Sequence, residues 1–171
     1  MMKVLFSVLL ILTAMTASAQ KINKKIEDKG RNKTVLINKV TREGLISFPE
    51  FKERYDEEYP NYQPDSLTID SIKPLIGDKK ITLVLGTWCG DSKLQVPHFL
   101  KVLDKLGYSE KDLTIICVDG TKKAEDGLLN DLKITNVPTM IFYEKGKELG
   151  RITESPIQTL EKDTHHILSK K

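Results

Sequence analysis

The sequence is poor in cysteine, in aromatic residues and in net charge. Its 171 residues include two cysteines and one tryptophan, and aromatic residues make up 6% of the chain. Two cysteines are too few for the disulfide framework of a small secreted scaffold, or for a four-thiolate zinc or iron–sulfur site. The net charge of +3 is too small to indicate nucleic acid as the main partner. We therefore expect no metal, no cofactor and no nucleic-acid partner.

Long apolar runs are also scarce, and the one that exists lies at the start of the chain. Lys3 precedes an apolar run from Val4 to Leu12, and small residues follow, ending in Ala17-Ser18-Ala19. These three features predict a cleavable signal peptide over residues 1–19. The run is shorter than the about 20 residues that span a bilayer, so we expect no stable membrane insertion. The expected location is periplasmic or secreted, where disulfides persist.

Two stretches of unusual composition follow. Residues 20–42 carry eight basic and two acidic residues, which predicts a solvated basic linker with one small strand around residues 34–37. Residues 43–66 gather five aromatic residues. We predict that this aromatic-rich extension packs on the main domain through a helix that begins after Ser47 and ends before Tyr59.

From residue 67 to residue 171 the pattern alternates between helix and strand. Apolar runs at residues 81–85 and 113–118 predict buried strands, and apolar residues at helical spacing lie between them. We also predict a short helix over residues 124–132 and a last helix that opens at Ser155. The order β-α-β-α-β-β-α predicts an α/β domain with one mixed sheet covered by helices on both faces.

The residues suited to chemistry lie where the first strand of this domain gives way to a helix. The sequence there is Thr87-Trp88-Cys89-Gly90-Asp91-Ser92. A thiol at a helix N-terminus faces unpaired N–H groups and the positive end of the helix dipole, which favours the nucleophilic thiolate. Gly90 leaves room for the sulfur of another chain, and Trp88 forms a wall on one side. We predict that Cys89 is a nucleophile.

This segment resembles the active site of the thioredoxin family. Besides Trp-Cys-Gly, the resemblance rests on Pro97, eight residues after Cys89, and on Val137-Pro138-Thr139 before a strand. It implies a thioredoxin-like three-layer α/β/α fold with an N-terminal extension. It also implies that Cys89 is the attacking cysteine, that Pro97 kinks the active-site helix, and that Pro138 is a cis-proline beside the sulfur. Val137 would offer its backbone to an extended substrate.

The departures from the family pattern are as informative as the matches. Ser92 occupies the position of the second cysteine in the usual C-x-x-C motif, and a hydroxyl cannot resolve a mixed disulfide. By spacing, Leu83 stands where the family buries an acidic residue. Asp91 adds a negative charge that opposes the helix dipole. The pattern is similar to a secreted or periplasmic bacterial variant with a single cysteine.

Two functions therefore stay open. The first is thiol–disulfide exchange by Cys89 alone, with client proteins that carry cysteines and with an external thiol reductant. The second is a peptide-binding or protein-binding module without redox activity, because a fold does not by itself settle function. The sequence does not decide whether the protein is an enzyme.

The remaining candidates are Cys117 and the three histidines. Cys117 lies inside a predicted strand, and a disulfide needs Cα atoms within about 7 Å. We predict that it packs in the core rather than resolving a Cys89 adduct. The histidines show no metal-site spacing, so we expect them at the surface or at helix ends.

Overall fold

The computed structural model describes residues 21–170, so the predicted signal peptide lies outside the described residues. Within this range the strands are β1 (Lys24–Asp28), β2 (Lys33–Val40), β3 (Lys80–Leu85), β4 (Leu113–Cys117), β5 (Thr139–Glu144) and β6 (Lys147–Thr153). The helices are α1 (Arg42–Ile46), α2 (Pro49–Asn61), α3 (Ser66–Ile76), α4 (Gly90–Leu106) and α5 (Leu160–Leu168). A short 3-10 turn, Glu110–Asp112, precedes β4.

All six strands form one mixed sheet in the order β1-β2-β4-β3-β5-β6. Strands β3 and β4 are parallel, and every other neighbouring pair is antiparallel. A parallel pair needs a crossover connection, and α4 supplies it. The predicted mixed sheet with helices is confirmed.

The larger core lies between one face of the sheet and helices α2 to α5. Side chains alternate between the two faces along a strand, so Ile81, Leu83 and Leu85 of β3 point towards these helices while Val84 points away. Phe99 of α4 is fully buried and meets Phe142 of β5 edge to face, with ring centroids 6.1 Å apart.

Turns rather than a helix cover the other face of the sheet. A smaller cluster there combines Val84, Ile116, Val118 and Val137, with Trp88 and Cys89 partly buried against it. The helix predicted over residues 124–132 is wrong, because these residues form turns. Asp126 and Gly127 both have positive φ angles, 54° and 69°, and a right-handed helix cannot continue through that conformation.

The segment predicted as a solvated linker forms two strands of the sheet instead. Strands β1 and β2 form an antiparallel hairpin, and residues 38–40 of β2 pair with β4. Val35, Leu36 and Ile37 are buried. This apolar run belongs to β2, which lies between β1 and β4 in the sheet, and its burial outweighs the basic composition around it. The prediction of a linker over residues 20–42 is therefore wrong for the hairpin.

The predicted end of the helix after Ser47 and the predicted start of the last helix also need correction. Ser47 ends α1, and α2 begins at Pro49 and continues through Pro60 to Asn61. The last helix begins at Leu160 rather than near Ser155. Its N-cap is Thr159, whose hydroxyl accepts a hydrogen bond from the Lys162 amide. Within residues 21–170, no helix combines the length and the apolar character needed to cross a bilayer.

Candidate active site

Cys89 is held at the junction between β3 and α4. It is the N-cap of α4, a helix of 17 residues. Its amide donates to the Gly86 carbonyl at 3.0 Å, and its carbonyl accepts from the Lys93 amide at 3.0 Å. Buried Thr87 anchors the same loop, because its hydroxyl accepts from the Leu36 amide at 3.3 Å. These bonds fix the half-buried thiol at the start of the helix.

Trp88 folds back over the loop that carries it. Its indole N–H donates to the Val118 carbonyl at 3.0 Å. A Cβ atom at Gly86 would lie 2.6 Å from the indole ring, closer than real side-chain contacts. Glycine at position 86 is therefore what allows the ring to lie here. The Arg31 guanidinium covers the ring, 3.9 Å from its centroid.

The loop before β5 meets the sulfur. The Val137–Pro138 peptide bond is cis, and the Val137 carbonyl accepts from the Cys89 thiol at 3.3 Å. The Lys122 ammonium ties this loop down, because it donates to the Thr135 carbonyl and to the Asn136 side-chain oxygen, both at 2.9 Å. The structure thus places the Val137 carbonyl against the Cys89 sulfur, with Pro138 next to it in the chain.

The residues after Cys89 differ in what they face. Gly90 and Asp91 are exposed, and a Cβ atom at Gly90 would meet open space. Ser92 is fully buried, and its hydroxyl accepts from the Gly86 amide at 3.3 Å. The side of the site at Gly90 is therefore open to an approaching chain, while Ser92 holds the loop in place. Pro97 lies buried further along α4.

Cys117 is separated from Cys89 by the sheet. It belongs to the larger core on the helix-covered face, whereas Cys89 packs against the cluster on the other face. Full burial raises the pKa of the Cys117 thiol far above its usual value, so this group stays neutral and unreactive. Leu83, at the position of the family's buried acid, is a fully buried core residue.

His98 lies in a polar cluster in the helix layer. Its Nε2 is 2.9 Å from a Glu58 carboxylate oxygen, and its ring stacks on Tyr62 with centroids 4.3 Å apart. The Tyr62 hydroxyl donates to buried Glu161 at 2.7 Å, and the Asp65 amide donates to the same carboxylate at 3.1 Å. The expectation of a surface histidine is therefore wrong for His98. This cluster joins the N-terminal extension to the domain.

The carboxylate of Glu161 titrates lower than usual. Burial acts to raise its pKa, but hydrogen bonds from Tyr62, from the Glu161 and Asp65 amides and from Thr159 lower it, and the lowering prevails. Across residues 21–170 no group of three histidine, cysteine, aspartate or glutamate side chains is arranged to hold a metal ion.

Sequence reasoning missed two residues that border the site, Arg31 and Lys122. Both act through partners that are remote along the chain, Trp88 for Arg31 and Thr135 and Asn136 for Lys122. No local motif marks such contacts. The one available signal for Arg31 was its position in a short turn, Lys29 to Asn32, between two segments able to form strands.

The chain is similar in sequence to thioredoxins over about half of its length. The chain is 31% identical over 91 residues to the thioredoxin of Mycolicibacterium smegmatis, covering 52% of this chain and 74% of that protein. It is 30% identical over 86 residues to mouse thioredoxin, covering 50% of this chain and 76% of that protein. Among solved structures, oxidised mitochondrial thioredoxin 3 from Saccharomyces cerevisiae covers 64% of this chain and 98% of its own, with a TM-score of 0.38 and 22% identity.

The family model described as Thioredoxin matches residues 71–165, more than half of the chain. The chain belongs to the thioredoxin family. The match begins within α3 and ends within α5, so it includes Cys89, Pro97 and Pro138 and leaves out the β1–β2 hairpin. These thioredoxin relatives support a general role in thiol–disulfide redox chemistry.

Proposed function

We propose that this thioredoxin-family protein is a secreted or periplasmic bacterial variant that exchanges disulfides through Cys89 alone. The observation that carries the proposal is the placement of the Cys89 sulfur. It lies half-buried at the N-terminus of α4, 3.3 Å from the Val137 carbonyl and beside the open space at Gly90. A thiol in such a position is accessible to a second chain, and backbone groups beside it are available to hold that chain.

The first step forms a mixed disulfide. The Cys89 thiolate attacks one sulfur of a client disulfide, the bond between the two client sulfurs breaks, and a bond between Cys89 and the client forms. The second client sulfur leaves as a thiolate and takes a proton from solvent. An extended client chain would lie against Val137 and Pro138 during this step.

Release needs a thiol from outside the site. The Ser92 hydroxyl is not a thiol and is engaged with Gly86, and Cys117 lies on the other side of the sheet. If a third thiol of the client attacks the client sulfur of the mixed disulfide, a bond between those two client sulfurs forms, Cys89 leaves as the free thiolate, and the client disulfide is rearranged without net redox change. If an external thiol attacks, two of its molecules are oxidised to one disulfide while the client disulfide is reduced to two thiols.

Trapping of adducts in cells tests this proposal. The protein is expressed with its own N-terminal segment as a Cys117→Ser variant, free thiols are blocked with acid and an alkylating agent, and mixed disulfides are recovered. We expect reducible adducts that disappear in the Cys89→Ser, Cys117→Ser double variant. Recovery of the folded protein without any Cys89-dependent adduct would contradict the proposed exchange.

The alternative is a binding module without redox activity. It is favoured by one observation, that both Ser92 and Leu83 are buried structural residues where the family has a second thiol and an acid. This function predicts that the same partners are captured by the Cys89→Ser variant. The exchange mechanism predicts that they are lost.

A further inference from the structure

The β1–β2 hairpin, which lies outside the part of the chain matched to the family, reaches the active site. The Gly120 amide donates to the Asp28 carboxylate at 2.7 Å. A Cβ atom at Gly120 would lie 2.6 Å from the Arg31 Nε atom and closer still to Asp28. A side chain at position 120 would therefore require the Asp28 and Arg31 side chains to shift.

A second set of contacts holds the hairpin in place. Glu125 accepts from the Lys24 ammonium at 2.6 Å and from the Asn38 side-chain amide at 2.7 Å. The Glu125 amide in turn donates to the Asn38 side-chain oxygen at 2.9 Å. With β2 paired to β4 as well, the tip of the hairpin has a fixed position beside Trp88.

Arg31 projects from this tip onto the indole, and much of its hydrogen-bonding capacity is unused. The guanidinium carries five N–H donors, and within residues 21–170 its side chain makes one hydrogen bond, to the Gly120 carbonyl at 3.5 Å. Its nearest carboxylate, Asp28, is 3.9 Å away and already accepts from Gly120. The Arg31 side chain is 41% exposed. The guanidinium lies over the indole ring at 3.9 Å, and its unused N–H donors are available to a ligand.

Three other charged groups, on α4 and on the turn after β4, are either engaged or negative. Lys93, in the first turns of α4, lies 3.4 Å from Glu50, which also binds Lys33 at 2.6 Å. Lys122 is engaged with the loop before Pro138. Asp91 is exposed in the first turn of α4 and would repel an anion. Arg31 thus lies beside Trp88 with most of its N–H donors unused.

We propose that Arg31 selects clients that carry a carboxylate side chain close to their reactive cysteine. The inference rests on the proposed exchange at Cys89 and names the substrate class for it. A planar guanidinium binds a carboxylate through two parallel N–H···O bonds. Because Trp88 directly precedes Cys89, a carboxylate held by Arg31 belongs to the stretch of client chain next to the attacked sulfur.

Rates of exchange with charged peptides test this specificity. The protein is the Cys117→Ser variant, and the substrates are peptide disulfides with glutamate placed in turn at each of the four positions nearest the cysteine. The matched peptides carry glutamine at the same positions. We expect glutamate at one or more positions to speed adduct formation about three- to fivefold, the size expected of an exposed charge pair, and added salt to reduce this preference.

Variants at Arg31 separate specificity from reactivity. Arg31→Gln should bring the ratio of the rates with the glutamate and glutamine peptides to about one, and Arg31→Lys should keep part of the preference. Arg54→Gln is the matched control, because Arg54 lies on α2 with a similar exposed fraction of 43%; its preference should equal that of the parent.

Two results would overturn the inference in different ways. If adducts form at Cys89 but glutamate and glutamine peptides react equally, or if Arg31→Gln retains the parent's preference, the role of Arg31 is refuted and the exchange function stands. If no peptide of either kind forms an adduct with the folded protein, the exchange function itself fails, and the inference fails with it.

Discussion

Restoring a second thiol at position 92 is a direct test of how the active-site turn is built. Ser92 lies three residues after Cys89, in the first turn of α4, and is fully buried. Ser92→Cys would recreate the spacing of a C-x-x-C motif. In the parent protein the Ser92 hydroxyl accepts from the Gly86 amide at 3.3 Å. Loss of this buried hydrogen bond should cost about 1 kcal/mol of folding free energy in the reduced variant.

Oxidation should reverse this loss. A disulfide that closes a loop of about four residues restricts the unfolded chain and stabilises the folded state by about 2 kcal/mol. The oxidised variant should therefore be about 1 kcal/mol more stable than the parent, and the reduced variant about 1 kcal/mol less stable. Ser92→Ala is the control, because it removes the same hydrogen bond without adding a thiol and should match the reduced variant.

The assay is urea unfolding in the Cys117→Ser background, followed by the fluorescence of Trp88, the single tryptophan of the chain. A peptide disulfide is then added to the reduced protein after the reductant has been removed. We expect Ser92→Cys to release its mixed disulfide rapidly, whereas the parent accumulates it. Free thiols at both positions in a folded, oxidised sample would refute the reasoning, because the side chain at position 92 would then not face the Cys89 sulfur.

Three further predictions concern the core, the polar cluster and the loop. Phe99→Ala removes a fully buried ring packed on Phe142 and should cost about 3–5 kcal/mol in urea unfolding; a loss below 1 kcal/mol would contradict the packing. Glu161→Gln should destabilise the protein at pH 7. The folded pKa of this carboxyl lies below its unfolded value of 4.5, so its contribution to folding stability is present above pH 4.5 and is lost as pH falls through the folded pKa. The difference in urea midpoint between Glu161→Gln and the parent should therefore shrink at low pH. A difference that stays constant with pH would contradict the argument. Gly86→Ala should displace the Trp88 ring, red-shift its emission and slow exchange at Cys89; an unchanged spectrum would contradict the close approach.

Local pattern was sufficient to predict the elements that position the nucleophile. Strand β3 and helix α4 each carry their own periodicity, and the junction between them places Cys89 at a helix N-terminus. Only the resemblance to a known family placed Val137-Pro138 beside the sulfur, because nothing within either segment specifies a contact across 48 residues.

Features that depend on non-local contacts could not be predicted in this way. The β1–β2 hairpin carries a basic composition typical of linkers, and its stability comes from pairing with β4 and burial of its apolar run. Residues 124–132 have apolar residues spaced as in a helix, yet Asp126 and Gly127 adopt left-handed conformations. Tyr62 and Glu161 meet across 99 residues of chain, and no spacing rule reaches that far.

The account depends most directly on Cys89 being an accessible nucleophile in the folded protein. The decisive measurement is the rate of alkylation of the Cys117→Ser variant by neutral iodoacetamide at pH 7, compared with the same chain unfolded in urea and with an unstructured cysteine peptide in the same urea concentrations. We predict that Cys89 in the folded protein reacts faster than either reference. A folded protein that reacts more slowly than its own unfolded chain would contradict the account.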